Sequence, residues 1–297
     1  VPRQISAYDR SIELGGKVVA LTMPVQVPMN MSFSSFCGLW LLPGWQQILG
    51  VPVAERIQRL QDPDTRVRML ENSLSQAAGV FRRLADWGDY IIGDTYSAAN
   101  EGLKGRIVRD VANERGMSSF GTLLDIVIAD ELKTILWPTP QDDDAESWKM
   151  RAELWQDGRA MIGGSDAGAH LDRMCGAPYP TRWLADCIRG RKLVPVEFAV
   201  KMMTSQPAKL FGLVDRGELR EGACADVVVF NPDEIGSEDA MLVTDLPGNS
   251  SRLTAGSFGV KRVLVNGVTI VENGVANGAV PGTVLKSGKD TYTVPAR

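Results

Sequence analysis

The sequence predicts an α/β protein: a parallel sheet or barrel over residues 17–212, followed by a small β module. Three observations carry this. Short apolar runs ending in glycine or proline alternate with stretches whose apolar residues recur every three and four positions, the pattern of strands joined by crossover helices. Near Gly217 the character changes to short β-branched runs punctuated by Asn-Gly turns. A hydrophobic share of 44% over 297 residues is enough for a sizeable core. The predicted division is residues 1–216 and residues 217–297.

In chain order, residues 17–24 read as a buried strand that Pro24 ends. Residues 25–54, rich in Met, Pro, Ser, Phe and Trp, have no clear period. They read as a long loop, either a lid or interface or a packed surface excursion. Ala54–Trp87 reads as helix, interrupted at Pro63 and recapped by Asp62 or Asp64. A strand follows at 89–94, then a helix over Leu103–Arg115 closed by Gly116. Ser118 caps a helix expected to run to about Leu136, where Pro138 stops it. The run Asp142–Asp144 opens the next helix, over Trp148–Trp155, and Ala160–Ile162 is the next strand. Tyr179–Arg189 and Val196–Met203 are helical, the second preceded by Pro195. In the β module, 225–230, 260–265 and 268–271 are strands, and Asn266-Gly267 predicts a two-residue hairpin. Only about three strands precede Gly164, fewer than an eight-stranded barrel needs.

Composition excludes several functions. With 32 Lys and Arg against 36 Asp and Glu, the net charge of -4 gives no footprint for nucleic acid or an anionic membrane. No apolar run reaches membrane-spanning length. The four cysteines match no zinc or disulfide framework, so a reduced, cytoplasmic setting is expected. A single histidine is too few for a self-contained hydrolytic metal site.

The stretch Ala160–His170, AMIGGSDAGAH, organises the chemistry. A buried parallel strand ends in two glycines, then Ser165-Asp166, then the only histidine. Asp166 stands where α/β folds keep their chemistry, at the carboxyl end of a strand. It is either a catalytic carboxylate or a helix or Asx-turn cap. His170, on the same loop, is either a pocket residue for substrate or transition-state charge or a hydrogen-bonded loop histidine. Arg173 and Arg182 are candidates to grip a substrate carboxylate in a bidentate contact, or are solvated or paired. Tyr96 either reaches the pocket mouth or packs. Cys175 is a weak nucleophile candidate, having no His-Asp context beyond His170.

Four blocks in this order and spacing resemble the amidohydrolase superfamily, in its D-aminoacylase (N-acyl-D-amino-acid deacylase) branch: Ile162–Asp166, Lys201–Leu213, Arg216–Pro232 and Val263–Gly267. The resemblance implies the later strands of a metal-dependent (β/α)8 TIM barrel, followed by a β-sandwich in which Glu218-Leu219 pairs with Ala225–Phe230 and Asp226 is structural. It implies that Asp166 touches a divalent metal, zinc by expectation, and takes a proton from the metal-bound water. The branch's early His-x-His pair has no match here, Met23-Pro24 stands where the branch carries His or Tyr before Pro, and its Ser-Asp-Gly is Ser165-Asp166-Ala167. Most metal ligands are therefore expected from outside this chain, in an amino-terminal fragment or second subunit of an oligomer. The expected activity is hydrolysis of a C–N amide bond in an N-acyl amino acid or cyclic amide. The alternatives are a non-catalytic structural or regulatory subunit on the same scaffold, or a metal-free lyase or isomerase.

Overall fold

A computed structural model describes residues 2–35, 37–140 and 142–295. In chain order its helices are α1 (Pro2–Glu13), α2 (Trp45–Leu49), α3 (Val53–Gln61), α4 (Pro63–Leu74), α5 (Val108–Arg115), α6 (Ser119–Ala129), α7 (Ala145–Gln156), α8 (Tyr179–Ile188), α9 (Val196–Met203) and α10 (Ser205–Leu210). Its strands are β1 (Ala20–Thr22), β2 (Ile91–Ile92), β3 (Leu136–Trp137), β4 (Ala160–Ile162), β5 (Val227–Phe230), β6 (Gly236–Ser237), β7 (Met241–Leu246), β8 (Ser250–Thr254), β9 (Ser257–Phe258), β10 (Val260–Val265), β11 (Val268–Glu272) and β12 (Val275–Ala276). The chain divides into two units, residues 28–141 and residues 1–27 with 142–297.

The unit of residues 28–141 is mainly helical. Its core is aromatic: Trp45 stacks on Trp87 at 5.4 Å, and Phe120 and Phe33 meet Trp45 edge-on. Trp45 is fully buried, so its indole N–H requires a partner, and Ser73 Oγ accepts it at 2.8 Å. The expected helix over 54–87 breaks at Asp62, whose carboxylate caps α4 through Thr65 N. It then gives way to a 3-10 segment, Gln76–Ala85, kinked at Gly79 with φ 52°. Residues 25–54 carry α2 and a 3-10 turn; Trp45 fills the core while Trp40 stays exposed.

Two helix boundaries differ from expectation for visible reasons. The helix expected from Leu103 starts only at Val108, because Gly105 N and Val108 N donate to Ile92 O and Tyr90 O, and Arg106 O accepts Ile92 N. The helix expected to reach Leu136 ends at Ala129, and β3 follows. Glu131 and Leu132 take positive φ (54° and 69°), and Leu132 N bonds back to Val127 O. The buried Asp130 carboxylate gathers Ser97 N, Asn100 Nδ2 and Thr134 Oγ1 at 2.7–2.8 Å and holds that turn. The strand expected at 89–94 reduces to β2, which pairs antiparallel with β3 rather than joining a parallel sheet.

The second unit contains the parallel pair. β1 and β4 align Ala20 with Ala160 and Thr22 with Ile162. β4 is buried throughout, as expected, whereas β1 is only three residues long and Leu21 is 57% exposed, which corrects the expectation of a buried strand over 17–24. Asp144 caps α7 through Ser147 N. Trp155 of α7 reaches across to β1, donating to Thr22 Oγ1 at 2.8 Å, and meets Trp183 of α8 edge-on at 4.8 Å. α9 starts after Pro195, as predicted.

In the β region, β5, β10, β11 and β12 form one sheet in the order β12-β11-β10-β5. The Asn266-Gly267 hairpin is present with both φ positive (48° and 78°), as a type I′ turn requires. Asp226 is structural: it accepts from Asn266 N and ion-pairs with Arg216. Glu218-Leu219 forms no strand, and Leu219 is 80% exposed; β10 takes the place beside β5. The hairpin β7–β8 and the small pair β6–β9 were not expected from sequence. Among the described residues the strands form five separate small sheets, and no closed barrel.

Candidate functional site

The site begins where β4 stops. Gly163 N extends the ladder to Thr22 O at 3.0 Å, and Gly164 turns the chain at φ 84°, a conformation that costs glycine nothing. Ser165 Oγ then accepts Ala167 N at 3.1 Å, so the side chain that holds this turn is Ser165. Asp166 and His170 both sit at φ 50°, in the left-handed region that few side chains tolerate. Asp166 is exposed, and among the described residues its carboxylate accepts no hydrogen bond. It therefore caps neither a helix nor the turn. Its own carbonyl accepts Ala169 N, and His170 O accepts both Arg173 N and Met174 N.

His170 Nδ1 faces Arg173 Nη2 at 2.5 Å. A guanidinium only donates, so Nδ1 accepts and the neutral ring carries its proton on Nε2. Arg173 also pairs with Asp172 at 3.0 Å, so its guanidinium is already shared between two partners on its own loop. Gly176 closes the loop directly beneath its start: a Cβ there would lie 1.6 Å from Ser165 O.

Of the remaining candidates, Arg182 and Tyr96 come from other segments of the chain, and Cys175 stands at the end of the loop. Arg182, on α8, donates to Glu238 O at 3.1 Å and lines a cavity of about 520 Å³ with Val25, Trp148, Arg191, Ser237 and Phe258. None of residues 163–177 lines that cavity. Tyr96 belongs to the other unit and is 57% exposed; partial burial, with Asp94 and Asp130 nearby, pushes its hydroxyl pKa up. Cys175 is buried, and burial raises its thiol pKa against the opposing pull of Arg182 and Arg252. A buried thiol shifted upward is a poor nucleophile.

The donors present do not make up a metal site. Among the described residues no three His, Cys, Asp or Glu side chains converge on one point, at Asp166 or elsewhere. Three residues that shape the loop escaped the sequence reading: Ser165 as turn holder, Gly176 as its floor, and Leu253 of β8, whose N–H donates to Leu171 O at 2.7 Å. The available signal for the last was the turn composition Pro247-Gly248-Asn249.

The sequence model of the Amidohydrolase family matches residues 7–271. The chain belongs to the amidohydrolase family. It is similar to the N-acyl-D-glutamate deacylase of Alcaligenes xylosoxydans xylosoxydans, 36% identical over 115 residues that make up 37% of this chain and 22% of the relative. The D-aminoacylase of the same organism is 30% identical over 189 residues, 62% of this chain and 34% of the relative. Among solved structures, the zinc- and phosphonate-bound N-acyl-D-glutamate deacylase of Bordetella bronchiseptica is 27% identical with a TM-score of 0.36, over 64% of this chain and 36% of that one. This amidohydrolase-family chain thus matches about a fifth to a third of the length of these curated relatives. No helix among the described residues is long and apolar enough to cross a membrane.

Proposed function

We propose that this chain carries the carboxyl-terminal part of an amidohydrolase barrel over residues 1–216 and a β module over 217–297, and that it serves hydrolysis of a C–N amide bond in an N-acyl amino acid. The observation that carries the reading is Asp166: a carboxylate at the end of a buried parallel strand, in a left-handed conformation, exposed and not used to cap the turn it stands on. A carboxylate at a strand end that holds no turn or cap of its own is available for chemistry. In this role Asp166 accepts the proton of the attacking water and passes it to the leaving amine. His170, its Nδ1 held by Arg173, presents Nε2 to the developing charge. Arg182 is the candidate to grip the substrate carboxylate.

The relatives' names support an N-acyl amino acid as substrate class. A divalent metal, zinc by preference, would take its remaining ligands from residues outside these 297, because the donors here do not suffice. Those residues belong to an amino-terminal segment or partner chain, and the sheet of β5, β10, β11 and β12 gains its second layer from the same source. Val228 and Val229, on opposite faces of β5, are both about half exposed, which fits a sheet awaiting further packing. All four cysteines are free, which suits a reducing compartment such as the cytoplasm.

Asp166→Asn tests the reading. Asparagine keeps the size but cannot accept a proton at neutral pH, so turnover of N-acetyl-D-amino acids by the whole protein falls by about 10²–10⁴. The melting temperature changes little, because the carboxylate has no hydrogen bond to lose. Full turnover in Asp166→Asn, with metal content unchanged, refutes the catalytic role and favours a non-catalytic subunit on this scaffold.

A further inference from the structure

We propose that the hairpin β7–β8 is a positioning element for the loop carrying Asp166 and His170. Between Gly164 and Gly176, the backbone hydrogen bonds within the loop are local turns: Ala169 to Asp166, and Arg173 and Met174 to His170. Local turns shape a loop but do not fix where it sits. One backbone bond that ties this loop to another element is Leu253 N to Leu171 O, at 2.7 Å.

The geometry of β8 makes that bond available. Leu253 pairs with Leu242 across the hairpin. In an antiparallel ladder alternate residues point their N–H away from the partner strand. Leu253 uses its outward N–H on the loop, so the loop is bonded to the outer edge of β8 as a further strand would be. The Leu253 side chain is 3% exposed, so the edge is packed as well as hydrogen-bonded.

The hairpin itself is braced. Arg252 grips Asp245 with two bonds, at 2.8 and 2.7 Å, and Thr244 Oγ1 meets Ser251 Oγ at 2.8 Å. Just before it, Ser237 bonds Thr181 at 2.7 Å, and Glu238 O accepts from Arg182. The same stretch of chain therefore grips the start of α8 and the loop that precedes it. The catalytic consequence rests on the role proposed for Asp166; the docking of the loop on β8 does not.

Residue-resolved hydrogen–deuterium exchange on the whole protein tests it. In the parent the Leu253 amide is protected although it lies on the outer edge of a two-stranded hairpin; exchange as fast as in a free peptide overturns the proposal. Leu253→Pro removes that one donor at a position where the β7–β8 ladder does not use it. The amides of Ala169, Arg173 and Met174 then exchange about 3–10-fold faster, while those of Val243 and Arg252 are unchanged. In turnover of N-acetyl-D-amino acids kcat falls and KM stays within about 2-fold, the pattern of lost positioning rather than lost binding. Leu253→Ala keeps the N–H and retains most of kcat. Loop amides or a kcat unmoved by Leu253→Pro overturn the proposal. If Leu253→Pro does not fold, the parent Leu253 amide decides alone. If Asp166→Asn proves fully active, the kcat comparison is set aside and the exchange data still decide the docking.

Discussion

Gly176→Ala tests whether the floor of the Asp166 loop sets its function. An ideal Cβ on Gly176 would lie 1.6 Å from Ser165 O, 2.7 Å from Ser165 C and 3.4 Å from Ser165 Cα. Non-bonded carbon and oxygen settle near 3.5 Å, so the two segments must separate by roughly 2 Å. The obstacle is backbone, so no side chain can rotate aside. Ser165 directly precedes Asp166, and the displacement passes into the carboxylate. Overpacking of this kind costs about 1–3 kcal/mol. At about 2–4 °C per kcal/mol for a chain of this size, the melting temperature falls by roughly 2–12 °C. Misplacing a reacting group by ~1 Å costs about 10² in rate, so kcat falls by at least that factor. Differential scanning calorimetry and steady-state kinetics on N-acetyl-D-amino acids read both. Gly222→Ala is the control: φ is 80° and nothing lies within 4 Å, so it carries only backbone strain and leaves kcat alone. A Gly176→Ala protein with the parent's melting temperature and kcat would refute the close approach and its link to Asp166.

Two further outcomes follow from the buried groups. Burial raises the Asp130 carboxyl, but bonds from Thr134, Ser97 and Asn100 outweigh it and hold its pKa below the usual value. A carboxyl depressed in the folded state contributes stability above its unfolded pKa and loses it as pH falls through the folded one, so this contribution is lost progressively as pH falls below about 4. Urea unfolding at pH 7 and pH 3 should show a larger acid loss in the parent than in Asp130→Asn; equal losses would remove Asp130 from the account. Burial pushes the thiols of Cys37 and Cys187 each up to about 12. Iodoacetamide at pH 8 should therefore label Cys224 first and spare these two until the protein unfolds; labelling of Cys37 in the folded protein at the rate of Cys224 contradicts their burial.

What the sequence determined by itself was local, together with the family. Asp62, Ser118 and Asp144 cap helices because a short polar side chain reaches an N–H two or three residues on, whatever the rest of the chain does. Pro195 and Asn266-Gly267 mark a helix start and a hairpin through backbone restrictions that are theirs alone. Asp166 was legible because a buried run ending in two glycines forces a turn at a strand end. Tertiary structure decided everything that depends on partners distant in the chain. The helix expected from Leu103 lost its first turn to bonds with residues 90–92, and the one expected to reach Leu136 yielded to the Asp130 cluster and β3. Ser165, not Asp166, proved to hold the turn, which left the carboxylate free. The seat of that loop on Leu253, and its floor at Gly176, come from segments that only the fold brings together. Backbone hydrogen bonding carries no side-chain code, so a sequence can announce a strand or a turn without naming the segment it will lie against.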